Sequence, residues 1–169
     1  MGKTVLTSRR LVLREMTDAD LDDMAALLGD PEVMRYYPAP KSRGEAQAWI
    51  SRSQQRYREH GFGLWTVCLR DSGEFVGDCG LVRQRVDGMD EVEVGYHVRT
   101  ALQGNGYATE AAAACLDFAR TVLGLSRLTA IIDPANVPSQ RIATKIGLRP
   151  EKHTTVFGLD RVIYAATFC

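Results

Sequence analysis

The run Gln103-Gly104-Asn105-Gly106-Tyr107-Ala108 constrains this chain more than any other stretch. Before it, Glu91 to Val98 alternates polar and apolar residues as a strand does; after it, the alanine-rich Thr109 to Leu123 reads as a helix. Glycines at a strand-to-helix junction permit a tight turn and bring bare backbone N–H groups close to a ligand. The first N–H groups of a helix lack partners within it and carry the positive end of its dipole. Such a junction binds phosphate.

Two familiar phosphate-binding designs fit poorly. A P-loop needs Lys-Ser or Lys-Thr after its glycines, and none follows here. A dinucleotide-binding fold would use Gly104 and Gly106, with Asp133 as its ribose-binding acid, but Thr109 stands where the third Gly or Ala belongs. Only 36 residues follow Asp133, too few to complete a doubly wound sheet. The strand before the turn also alternates, unlike the continuous apolar run of a central parallel strand. A dinucleotide-binding protein is thus a remote alternative.

The remaining elements frame a mixed sheet. Arg10 to Arg14 alternates and reads as a first strand; Thr17 and Asp20 open a helix with Leu21, Met24, Ala25 and Leu28 on one face. Ser42 and Glu45 form a capping box for a second helix that stops near Gly61. Strands from Phe62 to Leu69 and Phe75 to Leu81 flank the hairpin signal Asp71-Ser72-Gly73, and Asp87-Gly88 marks another turn. In Glu91 to Val98, the residues Val92, Val94, Tyr96 and Val98 share one face, and Glu91, Glu93, Gly95 and His97 the other. A strand from Leu128 to Ile132, a helix from Val137 to Ile146 and two strands broken near Gly158 complete the chain. The expected fold is α/β, a mixed and mostly antiparallel sheet of six to seven strands with about four helices, in the order β-α-α-β-β-β-α-β-α-β-β.

At 169 residues the chain fits one domain, 1–169. Lys plus Arg equals Asp plus Glu, 21 each, so no global field would draw nucleic acid or a membrane surface. The start of the chain lacks a signal-peptide pattern, and Leu6 stands where a myristoylation signal wants Ser or Thr. Cys68, Cys79, Cys115 and Cys169 are widely spaced with no C-x-x-C pair. Metal ligation is therefore not expected, and thiols in a reducing, cytoplasmic setting are.

The pattern Gln103-x-x-Gly106-x-Ala108 resembles the coenzyme A turn of the GNAT N-acetyltransferase superfamily. Leu11-Val-Leu-Arg14, Glu93-Val-Gly-Tyr96, Gly106-Tyr-Ala-Thr-Glu110, Asn136-x-x-Ser139 and Lys145-x-Gly147-Leu148 follow in the family's order. Together they resemble the branch of ribosomal-protein-alanine N-acetyltransferases, which usually has Phe where Leu148 stands. The resemblance implies a GNAT-like domain that moves an acetyl group from acetyl-CoA to a primary amine by direct attack in a ternary complex. It implies coenzyme contacts from Tyr96, His97 and Val98 on the strand. The turn residues Gln103, Gly104, Asn105, Gly106, Tyr107, Ala108 and Thr109 would hold the pyrophosphate, and Asn136 the pantetheine arm.

Glu93 is the candidate base, with clustered carboxylates on its strand face raising a pKa; the alternative is an anchor for a loop or a solvent-facing residue. Many members of the family use a Tyr as acid where this chain has Ala143, so Ser139 is the candidate acid, or else a coenzyme contact or helix cap. Tyr36, Tyr37, Glu91 and His97 are candidate acceptor contacts. Trp49 and Trp65 could wall the acceptor groove or fit core positions, and Arg52 and Arg56 fit a solvated face or an acidic substrate. The acceptor is a protein N-terminus or a small amine, on a monomer or homodimer. The alternative function is a coenzyme-A-binding regulatory module without transferase activity.

Overall fold

The computed structural model describes residues 2–168; Met1 and the fourth cysteine, Cys169, lie outside them. Twelve elements follow one another: β1 (Thr4–Thr7), β2 (Leu11–Arg14), α1 (Leu21–Gly29), α2 (Arg43–His60), β3 (Leu64–Leu69), β4 (Phe75–Val86), β5 (Met89–Val98), α3 (Tyr107–Thr121), β6 (Arg127–Ile132), α4 (Val137–Lys145), β7 (Arg149–Val156) and β8 (Leu159–Thr167). The eight strands form a single sheet in the order β1-β2-β3-β4-β5-β6-β8-β7. Every neighbouring pair is antiparallel except β5 with β6. The fold is thus the expected mixed α/β sheet with four helices, but eight strands replace six or seven. The strand that the sequence conceals is β1, four residues whose burial alternates too weakly to register as a period.

Local chemistry accounts for the helix boundaries. Thr17 and Asp20 do form a capping box, but it closes a short 3₁₀ turn, Asp18–Asp20, and the α-helix begins only at Leu21. Ser42 Oγ accepts from Glu45 N–H at 3.2 Å and Glu45 Oε1 accepts from Ser42 N–H at 3.0 Å, which starts α2. Gly61, with φ +80°, ends it in the left-handed conformation.

The sheet is covered on both faces. Against one lies α3, whose small residues Ala111, Ala112, Cys115 and Ala119 are buried and allow close approach to Trp65, Cys79, Leu81 and Leu128. Against the other pack α1 and α2 through Met24, Leu27, Leu28, Ala46 and Ile50, meeting Leu64, Phe75 and Val82. Lying between the two layers, β4 is buried without a break from Phe75 to Val82. Gly80 is required there, because a Cβ would sit 2.1 Å from the carbonyl oxygen of Gly63.

Candidate active site

The parallel pair β5 and β6 is registered only at Glu93 opposite Thr129, where Thr129 Oγ1 donates to the Val92 carbonyl at 2.9 Å. Beyond that point the strands part. Val94 to Val98 on one side and Ala130 to Ile132 on the other line a cavity of about 810 Å³. The N-terminal ends of α3 and α4 border the same space through Gly106, Tyr107, Asn136 and Ser139. A sheet that forks leaves backbone N–H and C=O groups without strand partners, and these must be satisfied by water or by a ligand.

At the open end of the fork stands the glycine turn. Gly104 and Gly106 have φ of +83° and +79°, and Gly106 is the N-cap of α3. Glu110 is the first residue to return its N–H to the turn, bonding the Gly106 carbonyl at 3.0 Å. The N–H groups of Gly104 to Thr109 have no backbone partner among the described residues. A Cβ built on Gly106 would have only Arg10 within 4 Å, at 3.5 Å. Arg10 stacks over the Tyr107 ring at 4.4 Å and pairs with Glu110 at 2.7 Å, which fixes a cation beside the turn. The donor set therefore suits a phosphate. Two side chains of the turn face elsewhere: Gln103 Nε2 donates to the Val98 carbonyl at 2.9 Å, and Asn105 Nδ2 to the Leu102 carbonyl at 2.9 Å. Asn105 lies off the cavity lining.

At the closed end, the two faces of β5 present different chemistry. Toward α2 stand Glu93, Gly95 and His97, and Gly95 leaves a bare strip of backbone between the two titratable groups. Burial pushes the Glu93 carboxyl up to about 7, against the hydrogen bond from Gln84 Nε2 at 3.0 Å and the positive charges of His97 and Arg56. The expected cluster of carboxylates is not the cause. Glu91 is held by Arg127 at 3.0 Å and lines a separate recess with Val86 and Lys152, so it does not join the acceptor site.

His97 stands opposite Asp78 in the β4–β5 ladder, and its Nδ1 lies 2.7 Å from Asp78 Oδ1. The other Asp78 oxygen accepts from Trp49 Nε1 at 3.0 Å, and His97 Nε2 meets the Tyr37 hydroxyl at 2.6 Å. Burial opposes charge on the imidazole, but the wholly enclosed Asp78 carboxylate prevails and raises the His97 pKa. Trp49 consequently lines the cavity, while Trp65 is core, edge-on to Phe118. Tyr36 and Tyr37 line the cavity from the α1–α2 loop. Asp78 and Gln84 escape a reading by periodicity. Asp78 carried a signal all the same, as an acidic residue inside the otherwise apolar run from Phe75 to Val82.

On the opposite face of β5, the Tyr96 hydroxyl donates to the Ser139 carbonyl at 2.8 Å and accepts from Ser139 Oγ at 3.0 Å. Burial raises the Tyr96 pKa well above the ordinary phenol, so this pair holds its protons. Ala143 is core. Asn136 caps α4, its Oδ1 accepting from Ser139 N–H at 3.1 Å. The fork thus brings a carboxylate on one face of the sheet and a paired hydroxyl on the other into one cavity.

Residues 10–149 match the acetyltransferase (GNAT) domain family. The uncharacterised protein YkkB of Bacillus subtilis is 38% identical over 152 residues, covering 89% of this chain and 88% of that one. YnaD of the same organism, an uncharacterised N-acetyltransferase, is 31% identical over 147 residues, covering 86% and 83%. The structure of Mycobacterium smegmatis RimJ in complex with CoA-disulfide shares the fold, with a TM-score of 0.74 at 22% identity over 93% of this chain and 81% of that one. The family match runs from the residue before β2 to the first residue of β7 and so takes in the whole fork, and on that ground the chain belongs to the GNAT acetyltransferase family and is an acyltransferase.

Proposed function

We propose that the protein is an acetyl-CoA-dependent N-acetyltransferase that acylates a primary amine by direct attack within a ternary complex. The observation that carries this reading is Glu93, a half-buried carboxylate that desolvation pushes up to about 7, at the root of the same cavity whose mouth presents the bare N–H turn. The N–H groups of Gly104 and of Gly106 to Thr109, with Arg10 beside them, would hold the pyrophosphate. The unpaired edge of β5 from Tyr96 to Val98 would pair with the pantetheine amides. When bound, the coenzyme supplies a thioester carbonyl; the chain supplies position and proton handling.

Positioning two reactants in one cleft accounts for much of such a rate. Glu93 takes the proton that the amine loses as its nitrogen bonds the carbonyl carbon. A carboxylate with a pKa near 7 is half in its basic form at neutral pH and binds that proton better than an ordinary Glu. As the carbon–sulfur bond breaks, Ser139 Oγ–H, backed by the Tyr96 hydroxyl, would hydrogen-bond the leaving sulfur, which takes its proton from water as Glu93 releases the one it gained. The products are an amide and a free thiol. Incubation with acetyl-CoA and an amine panel tests the reading. Thiol release matched by one acetylated amine per thiol is expected; tight coenzyme binding with no acetylated product from any amine would leave only a coenzyme-binding module.

A further inference from the structure

Five arginines line the cavity: Arg35 in the α1–α2 loop, Arg52 and Arg56 on α2, Arg141 on α4, and Arg161 on β8. Among the described residues only Arg161 of these has an acid within reach, Asp133 at 3.7 Å; Arg35 lies over the Tyr36 ring at 5.2 Å and Arg52 over the Trp49 ring at 6.0 Å. Arg52 and Arg56 have no carboxylate partner among the described residues. Arg56 is half-buried beside Gly63, and burial with Arg52 as neighbour lowers its pKa. A guanidinium that loses water without gaining an internal anion is destabilised until a ligand supplies one. The acids nearby do not fill this role: Glu93 is bonded to Gln84, and Glu32, in the α1–α2 loop, makes no ion pair with either arginine.

Spacing suits one ligand group. Residues four apart on a helix put their Cβ atoms about 5–6 Å apart on one face, and two guanidinium forks at that separation clamp a carboxylate or phosphoryl group. The coenzyme's own phosphates are served elsewhere. The charge of Arg56 acts on Glu93, whereas the glycine turn begins beyond Val98, five residues and about 16 Å further along β5.

We infer that Arg52 and Arg56 form an anion subsite that selects small acceptors carrying a carboxylate or phosphoryl group a few bonds from the amine. The inference rests on the acetyltransferase reading for its amine, but the subsite can be tested without turnover. Acetyl transfer is compared within matched pairs, glycine with glycinamide, glutamate with glutamine and 2-aminoethyl phosphate with ethanolamine, beside putrescine and a neutral tripeptide. The charged member of at least one pair is expected to lead by at least about tenfold in kcat/KM. In R52Q and R56Q that ratio falls toward one, chiefly through KM, while R52K and R56K keep part of it. Equal use of both members of every pair, a best acceptor that is cationic or a neutral peptide, or a preference that survives both glutamine variants would overturn the subsite. If no amine is acetylated, the acetyltransferase reading fails, and calorimetric titration of the coenzyme-A-loaded protein with 2-aminoethyl phosphate and glutamate still decides. Binding lost in R52Q and R56Q sustains the subsite, and no binding to the wild type overturns it.

Discussion

Glu93 owes its chemistry to a single residue of register. It stands opposite Thr129 at the last point where β5 and β6 pair, so its carboxylate is walled by protein yet opens into the cavity. Its raised pKa has a cost that can be measured. The folded protein holds the Glu93 proton up to about 7, while an exposed carboxyl releases it near the ordinary 4.5, so stability falls as pH rises through that window. At one pKa unit per 1.36 kcal/mol, the loss is at most about 3 kcal/mol. Urea unfolding at pH 5 and pH 8 should show wild type losing stability relative to E93Q; parallel behaviour would mean that Glu93 titrates normally.

Across the sheet, Ser139→Ala and Tyr96→Phe should each lower kcat by roughly 10- to 100-fold with little change in coenzyme affinity. Because the two hydroxyls are bonded at 3.0 Å, the double variant should lose little more than the worse single one. A calorimetric loss of coenzyme binding in S139A would make it a ligand contact instead. The sequence made Glu93 and Ser139 visible through their motifs, but not the Tyr96 hydroxyl between β5 and α4. Tyr96 occupies an apolar face of an alternating strand, and nothing local tells that its ring reaches α4.

Elements differ in how far local patterning reveals them. The β5–turn–α3 unit is legible because a strict two-residue period changes to a helical one at two glycines. For the same reason Gly106→Val should act locally: a β-branched residue is strained at φ +79°, and its side chain would stand among the N–H donors. Coenzyme A affinity should fall by at least about 100-fold by calorimetry with circular dichroism unchanged; unaltered affinity would remove the turn from the site. The α1–α2 loop is not legible, since its position depends on Tyr37 meeting His97, sixty residues away. The bond ties a loop to the His97–Asp78 ion pair, and because His97 stays charged to higher pH than usual, the ion pair's contribution is full below about pH 6.5 and fades as pH rises through the raised value. Tyr37→Phe should speed amide exchange of residues 33–39 by about 3- to 10-fold, the worth of one hydrogen bond. An unchanged exchange rate would show that packing alone holds the loop.

For the molecule as a whole, the fork divides the sheet into β1 to β5 and the group β6, β8 and β7, joined by little direct pairing at the seam. A coenzyme seated between them would replace missing backbone partners on both sides. Mass action then gives about 2.7 kcal/mol at a hundredfold excess over Kd, which for a chain of this size raises Tm by roughly 5–10 °C. This long-range feature is what the alternation of β5 hides. The same polar–apolar period describes a strand paired along both edges and one whose neighbour departs halfway.

These scales meet at one atom group, the Glu93 carboxylate, proposed as the base at the root of the cleft. The most direct measurement is the pH dependence of kcat/KM for acetyl transfer to one acceptor, in wild type and in Glu93→Gln, so that the acceptor's own titration is common to both. Wild type should gain activity as pH rises through about 7, and the variant should lose that inflection together with roughly 10²- to 10⁴-fold in rate. A variant that keeps both the rate and the inflection would contradict the assignment.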